Sequence, residues 1–284
     1  MLLPSRIVAP IIAVIGCPVL QVYACEPVDY FAIAIPPNSA SASVDALQLA
    51  YDDIRLSPDG KAITLNGQDW LDIGTIRDIQ PKEMLRDPTI LEQFKYQYPL
   101  EFDLTQRVVP FVDPGRFRNA AFFEYLYFDT EQAARESLVY VTEPALSQAS
   151  FQVTRKRNVA CQLEAALAEL AASGENYNAI FKGSGGGFNW RMIAGTTRLS
   201  THSFGISFDV NSELGKYWLW TGAKEGAVGH YDNAIPESFV TTMERFGFIW
   251  GGKWHHFDGM HFEFRPELIL YSRMMPDSRP LARN

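Results

Sequence analysis

Several residue types that build functional sites are scarce in this chain. Three cysteines, Cys17, Cys25 and Cys161, are spread over 284 residues, and none lies near the clusters of histidine and acid described below. That argues against a cysteine-ligated metal site. There are only five histidines: His202, His230, His255, His256 and His261. Positive charge is in deficit, with 25 Lys and Arg against 33 Asp and Glu and a formal net charge of −8. A nucleic-acid partner wants a basic face, so that class is disfavoured. Binding to an anionic polymer by global charge is excluded on the same ground, although local Lys and Arg can still meet a peptide carboxylate. No internal repeat is visible, so no repeat architecture is expected. The glycine run Gly183-Ser-Gly-Gly-Gly187 lacks the Lys-Ser/Thr ending of a phosphate cradle and opens no clear helix. It reads as a flexible approach to Arg191.

Composition is otherwise that of a globular protein, 47% apolar and 20% charged, with room for one large domain or one plus a smaller appendage. Residues 1–24 read as a secretory signal peptide. Arg6 gives a short positive start, Ile7 to Leu20 is almost wholly apolar, and Val22-Tyr-Ala24 offers a cleavage site. The expected location is therefore periplasmic or extracellular. A retained membrane anchor is the alternative, although Pro10 and Pro18 interrupt a stretch barely long enough to span. Lipidation of Cys25 is a further option, made awkward by Tyr23. With Cys17 removed, Cys25 and Cys161 either pair in an oxidising compartment or remain two thiols.

The informative residues are His202 and Asp209 in Ser200-Thr-His-Ser-Phe-Gly-Ile-Ser-Phe-Asp209, and Asp258 and His261 in Asp258-Gly-Met-His261. Two imidazoles and a carboxylate are the ligand set of a catalytic zinc site with one open position, and Asp258 is a spare carboxylate to act as base. Ile206-Ser-Phe-Asp-Val210 alternates like a strand, which turns Ile206, Phe208 and Val210 to the core and Ser207 and Asp209 to a cleft. Gly205 marks a tight backbone position. His261-Phe-Glu-Phe264 alternates too, with His261 and Glu263 on one face. Glu263 is the rival base; its other reading is a carboxylate that orients a ligand histidine. His255 and His256 read either as groups behind the site or substrate contacts, or as plain surface residues. His230 reads as structural or solvent-exposed.

Four motifs stand in order: Gly187-Phe-Asn-Trp-Arg191, Leu199 to Asp209, Phe246-Gly-Phe-Ile-Trp-Gly-Gly-Lys-Trp254, and Asp258-Gly-Met-His-Phe-Glu263. Together they resemble the zinc D-alanyl-D-alanine carboxypeptidase (VanY-like) family, and within it the L-alanyl-D-glutamate endopeptidases of phage endolysins. The resemblance covers the C-terminal third firmly; Asp113-Pro-Gly-Arg-Phe-Arg118 and the helix after Asn158 resemble the upstream part of some members. It implies Zn2+ held by His202, Asp209 and His261, with Asp258 as catalytic base. It also implies that Arg191 steadies the substrate carbonyl and developing oxyanion, and that Ser200 lies at the substrate-binding edge. The segment holding Trp254 borders the active site in that family, so substrate contact and core packing are both open for it. Ser207 departs mildly from a common Ala. Peptidoglycan stem peptides are the implied partner. The rival of a different class is a non-catalytic zinc-containing module that holds cell-wall peptide without cutting it.

The fold expected is α+β: a small antiparallel sheet carrying the zinc site with helices packed on it, of the LAS-type or hedgehog-like kind the resemblance implies. The expected organisation is a linker at 25–44, an N-terminal accessory region at 45–110 and a zinc peptidase domain at 111–284. Ser57-Pro-Asp-Gly60 is a turn between two short strands, 81–97 is expected to be helical from Pro81, and so is 119–139. Asn158 is expected to cap a helix that stops at Ser173-Gly174, and Pro236 to start one that Gly247 ends.

Overall fold

The computed structural model describes residues 25–37, 41–147, 149–193 and 196–275. The expected signal peptide, 1–24, and residues 38–40 of the expected linker lie outside them. The first helix, α1 (Ala42–Ala50), leads into an antiparallel sheet of β1 (Arg55–Leu56), β2 (Ala62–Thr64) and β3 (Leu71–Asp72). Short helices α2 (Pro81–Met84), α3 (Ala120–Leu126) and α4 (Glu131–Glu136) follow, then a hairpin of β4 (Leu138–Thr142) and β5 (Ser150–Thr154). The long helix α5 (Val159–Ala172) and the short α6 (Asn178–Phe181) precede the strands β6 (Ser184–Gly186) and β7 (Ser207–Asn211). Then come α7 (Ser212–Gly215), α8 (Glu237–Arg245), β8 (Phe248–Trp250), β9 (His261–Phe264) and α9 (Pro266–Met274). Helices and small antiparallel sheets make an α+β fold, as expected.

The four-stranded sheet, in the order β6-β7-β9-β8, positions the site. Its pattern follows from alternation. Ile206, Phe208 and Val210 are fully buried, and Phe208 stacks on Phe262 with ring centroids 5.4 Å apart. Phe151, Phe239 and Phe248 close around that pair. Burying rings of this size on one face contributes roughly 2–3 kcal/mol each, and it fixes register, because a one-residue slip would turn the phenylalanines to the cleft. The apolar stripe of α5, Leu163, Leu167 and Leu170, and that of α8, Phe239, Val240 and Met243, are buried in this same core.

Residues before 111 share that core. α1 packs on α9, and Tyr51 donates its hydroxyl to Glu267 at 2.8 Å. Tyr98 donates to Glu244 at 2.5 Å and accepts the Trp250 amide at 2.8 Å, which ties residue 98 to β8 directly. The stretch expected to be a linker is also fastened. Cys25 and Cys161 form a disulfide with Cα atoms 5.4 Å apart. The Val28 amide donates to Gln162 at 2.7 Å, and Tyr30 is buried against Phe264.

Three local expectations differ from the structure. The helix expected over 119–139 is two helices and a strand, because Thr130 caps α4 and β-branched residues take over from Val139. The expected helix over 81–97 is one turn at Pro81–Met84 and a 3-10 turn at Leu91–Phe94, divided by Pro88. Asn158 does precede α5, but in the left-handed conformation at φ 59° with no side-chain cap.

Candidate metal centre and active-site cleft

A 3-10 turn at Thr201–Phe204 delivers His202. Ser200 opens the turn, its Oγ accepting the His202 amide at 3.4 Å. Gly205 closes it at φ 66°, a conformation that favours glycine, and its ideal Cβ would lie 2.9 Å from the Thr154 amide nitrogen. The chain then enters β7. Asp209 on β7 and His261 on β9 are directly paired across the sheet. His202 Nε2, His261 Nδ1 and Asp209 Oδ1 form a triangle with sides of 3.2, 3.3 and 3.0 Å. A tetrahedral zinc bound at about 2.0–2.1 Å by each ligand would hold them roughly 3.3 Å apart. The donor set and its spacing therefore fit one such ion, and these three residues are the only group among the described residues that could hold a metal.

Both imidazoles are oriented from behind. His202 Nδ1 donates to the Gly187 carbonyl at 2.6 Å, and His261 Nε2 meets Glu263 at 3.1 Å. Each ring thereby turns its other nitrogen to the centre, as ligand histidines do. The glycine run is not the flexible approach expected of it. Ser184–Gly186 is the edge strand β6, paired with β7. An ideal Cβ on Gly187 would fall 2.2 Å from the Gln152 carbonyl oxygen, so only glycine lets its carbonyl reach His202 while the chain passes β5.

The electrostatics describe a centre short of positive charge. Burial alone would raise the Asp209 carboxyl, but His202 and His261 outweigh it and hold it well below the usual range. Burial also works against the charged His261 imidazole, yet Asp209 and Glu263 push it up to about 9. A cation at the centre can replace that proton, so binding one releases it. Glu263 is fully buried and held by Arg118, by Arg265 at 3.1 Å and by His261. Burial raises its carboxyl, but the two guanidiniums and the imidazole outweigh that and hold it ionised. With both oxygens so engaged it can orient His261 but has none free to take a proton from water.

Asp258 differs. It is mostly buried, and its Oδ1 has no hydrogen-bond partner among the described residues. Burial pushes its carboxyl up to about 6, a value suited to exchanging protons near neutrality. It lines a cleft of about 1120 Å3 together with His202, Asp209 and His261. Arg191 and Ser200 line the same cleft. The Arg191 side chain is exposed, while its amide donates to Ser203 Oγ at 2.9 Å. Trp254 is 2% exposed, with its ring 5.7 Å from that of His261 and its indole N–H donating to Pro114 at 2.6 Å. It forms the cleft's floor, which leaves little free face for stacking.

His256 also lines the cleft, clamped between Asp113 at 2.7 Å and the Gly226 amide at 2.9 Å. His255 is buried, bonded to the Arg107 carbonyl, and His230 is exposed. Sequence reasoning missed Arg118 as the anchor of Glu263, and Arg198 and Tyr217 as cleft residues. For Arg198 the signal was its position two residues before Ser200; for Tyr217, far from any motif, there was none.

Residues 194–264 match the family model described as D-alanyl-D-alanine carboxypeptidase. Over this quarter of the chain the sequence is similar to that peptidase family. The match spans His202, Asp209, Asp258 and His261 and begins after Arg191. It supports a hydrolase, a peptidase by class. No curated protein and no solved structure gives a significant match. Among the described residues no helix is long and apolar enough to cross a membrane.

Proposed function

We propose that the protein is a secreted zinc metallopeptidase that hydrolyses peptide bonds in peptidoglycan stem peptides, as a D-Ala-D-Ala carboxypeptidase or an L-Ala-D-Glu endopeptidase. The single observation that carries this reading is the 3.0–3.3 Å triangle of His202, Asp209 and His261, inside a segment matched to a peptidase family and beside Asp258, whose Oδ1 has no partner among the described residues. His202, Asp209 and His261 would hold Zn2+. The ion supplies Lewis-acid polarisation of a carbonyl and lowers the pKa of water toward neutrality.

The remaining work falls to side chains. Asp258 takes the proton from the attacking water and returns it to the leaving amine, for which a carboxyl held near 6 is suited. Arg191, exposed at the cleft, donates to the developing oxyanion, a contribution of about 3–4 kcal/mol for one such donor. Glu263 keeps His261 in the right tautomer. Ser200 contributes to the cleft edge and shapes the turn that delivers His202, and Trp254 supports the cleft floor. The Cys25–Cys161 disulfide is in keeping with an oxidising, extracytoplasmic compartment. Residues 45–110 would serve the catalytic part as a brace, and the sheet with its flanking helices would have the layout of the zinc peptidases of this family.

Digestion of purified peptidoglycan by zinc-loaded protein, read by mass spectrometry of the released peptides, tests the reading. New amino and carboxyl termini in the stem peptide are expected. Asp258→Asn should lower turnover about 10²–10⁴-fold and leave one zinc bound. A protein that binds stem peptide and releases no termini would be a binding module instead.

A further inference from the structure

The chain after α7 is knitted to the segment that carries Asp258. The Gly259 amide donates to the Lys216 carbonyl and the Trp218 amide to the Phe257 carbonyl, both at 3.0 Å. Between those two bonds, Tyr217 and Asp258 are direct antiparallel partners. They form the pair that exchanges no backbone bonds of its own, in which Cα atoms come within about 4.5 Å and the side chains stand closest, on one face. Both side chains line the cleft.

This register is held against backbone strain. Lys216 sits at φ 60° and ψ 161°, a region that is essentially confined to glycine. A residue with a side chain stays there only where its surroundings over-determine it, and such strain gathers at functional sites. Gly215 beside it has no room for a Cβ, which would fall 2.3 Å from the Met260 amide nitrogen. The strained turn therefore sets Tyr217 opposite Asp258.

The Tyr217 ring is flanked edge-on by Trp218 and Trp220, with centroids 6.3 and 5.7 Å away. Its hydroxyl lies among the charged groups of the cleft: the carboxylate acting on it is Asp258, and Arg116 and Arg191 act with the opposite sign. Burial raises the phenol above its ordinary value, with Asp258 adding, so it keeps its proton through neutral pH. Asp258 Oδ1 has no partner among the described residues, so the hydroxyl is not engaged with that oxygen. Neither the proton transfer assigned to Asp258 nor the donor role of Arg191 uses it.

We propose that Tyr217 is a catalytic residue of the cleft, whose phenol O–H donates to the scissile carbonyl oxygen as negative charge develops there, jointly with Arg191. The proposal rests on the peptidase reading above and adds a second donor to it. The proton stays on the phenol oxygen throughout; the proton that passes from water to the leaving amine travels on Asp258. A donor aimed at developing charge acts on turnover more than on substrate binding.

The test is Tyr217→Phe in the zinc-loaded full chain, which keeps the ring between Trp218 and Trp220 and removes one oxygen. Hydrolysis of L-Ala-D-Glu-L-Lys-D-Ala-D-Ala should lose about 10²-fold in kcat, with KM within about 2-fold and zinc content unchanged. A loss confined to KM, or no loss, overturns the proposal. Binding is read beside turnover with two phosphinates, in which P(O)(O⁻)–CH2 replaces the amide of D-Ala-D-Ala or of L-Ala-D-Glu. The phosphinate that wild type binds should bind the variant about 10²-fold more weakly. The affinity for the pentapeptide itself, read in Asp258→Asn protein with and without Tyr217→Phe, should change less than about 2-fold. Equal losses for both ligands, no loss for either, or a wild type that binds neither phosphinate overturns the donor. Selective loss of the phosphinate in a protein that cleaves nothing would sink the hydrolytic reading and keep the donor; full turnover by Tyr217→Phe would do the reverse.

Discussion

Asp209 and His261 face each other across neighbouring antiparallel strands, with Oδ1 and Nδ1 3.0 Å apart. Because both side chains rise from paired positions on a sheet whose other face is packed with phenylalanine, their separation is set by strand geometry and not by flexible loops. His202 completes the triangle from a 3-10 turn whose opening residue, Ser200, and closing residue, Gly205, are both specified by the sequence.

Removing a member of the triangle should remove the ion. Asp209→Ala and His202→Ala are each expected to drop zinc content from one per chain to near zero and to lower hydrolysis by at least about 10³-fold. Inductively coupled plasma mass spectrometry and a stem-peptide assay on the same samples check both effects.

The carboxylate behind His261 should act through that histidine. Glu263→Gln keeps the shape but leaves Arg118 without its anion, while Arg265 keeps Glu267. Zinc affinity is expected to fall about 10–100-fold, as found when a ligand histidine loses its orienting carboxylate. Stability is expected to fall by about 3–5 kcal/mol, as when one partner of a buried ionic group is removed. A chelator competition titration and a urea melt separate the two quantities; unchanged zinc affinity would count against the orienting role.

Asp258 makes a prediction about pH in the metal-free protein. Its folded carboxyl lies near 6 against 3.8 for the ordinary group. Between those values the folded state holds the proton that the unfolded chain has released. Stability therefore falls as pH rises from 3.8 to about 6 and stays lower above it. Asp258→Asn removes that cost. The metal-free variant should be more stable than wild type by about 3 kcal/mol at pH 7.5, with the difference vanishing below the ordinary carboxyl value. Thermal melts of both proteins across pH read this directly, and a variant less stable than wild type at pH 7.5 would contradict it.

The disulfide closes a loop of 136 residues between Cys25 and Cys161. Chain-entropy reasoning sets its contribution at about 5 kcal/mol as an upper value, with 2–4 typical. Reduction, or the double Ser variant, should lower the melting temperature and free the segment that carries Tyr30. Limited proteolysis should then cut near residue 30 while the zinc content stays at one.

Most of the site could be read before the fold was seen, for a physical reason. Alternation in Ile206–Val210 and His261–Phe264 is a local property, and it fixed which side chains share a face. The match over 194–264 includes those strands and bears out the family read from the motifs. Other features depended on contacts distant in sequence. Gly187 reads as a loosener until Gln152 is known to lie against it. Residues 25–35 look like a tether until Gln162 and Phe264 are seen to receive them.

The most direct measurement is metal stoichiometry in the purified chain, compared between wild type and His261→Ala. One zinc per chain in wild type and less than a tenth of that in the variant is the result expected if the three side chains hold a single ion. A wild-type protein with no stoichiometric metal, or a variant that keeps its full complement, would contradict it.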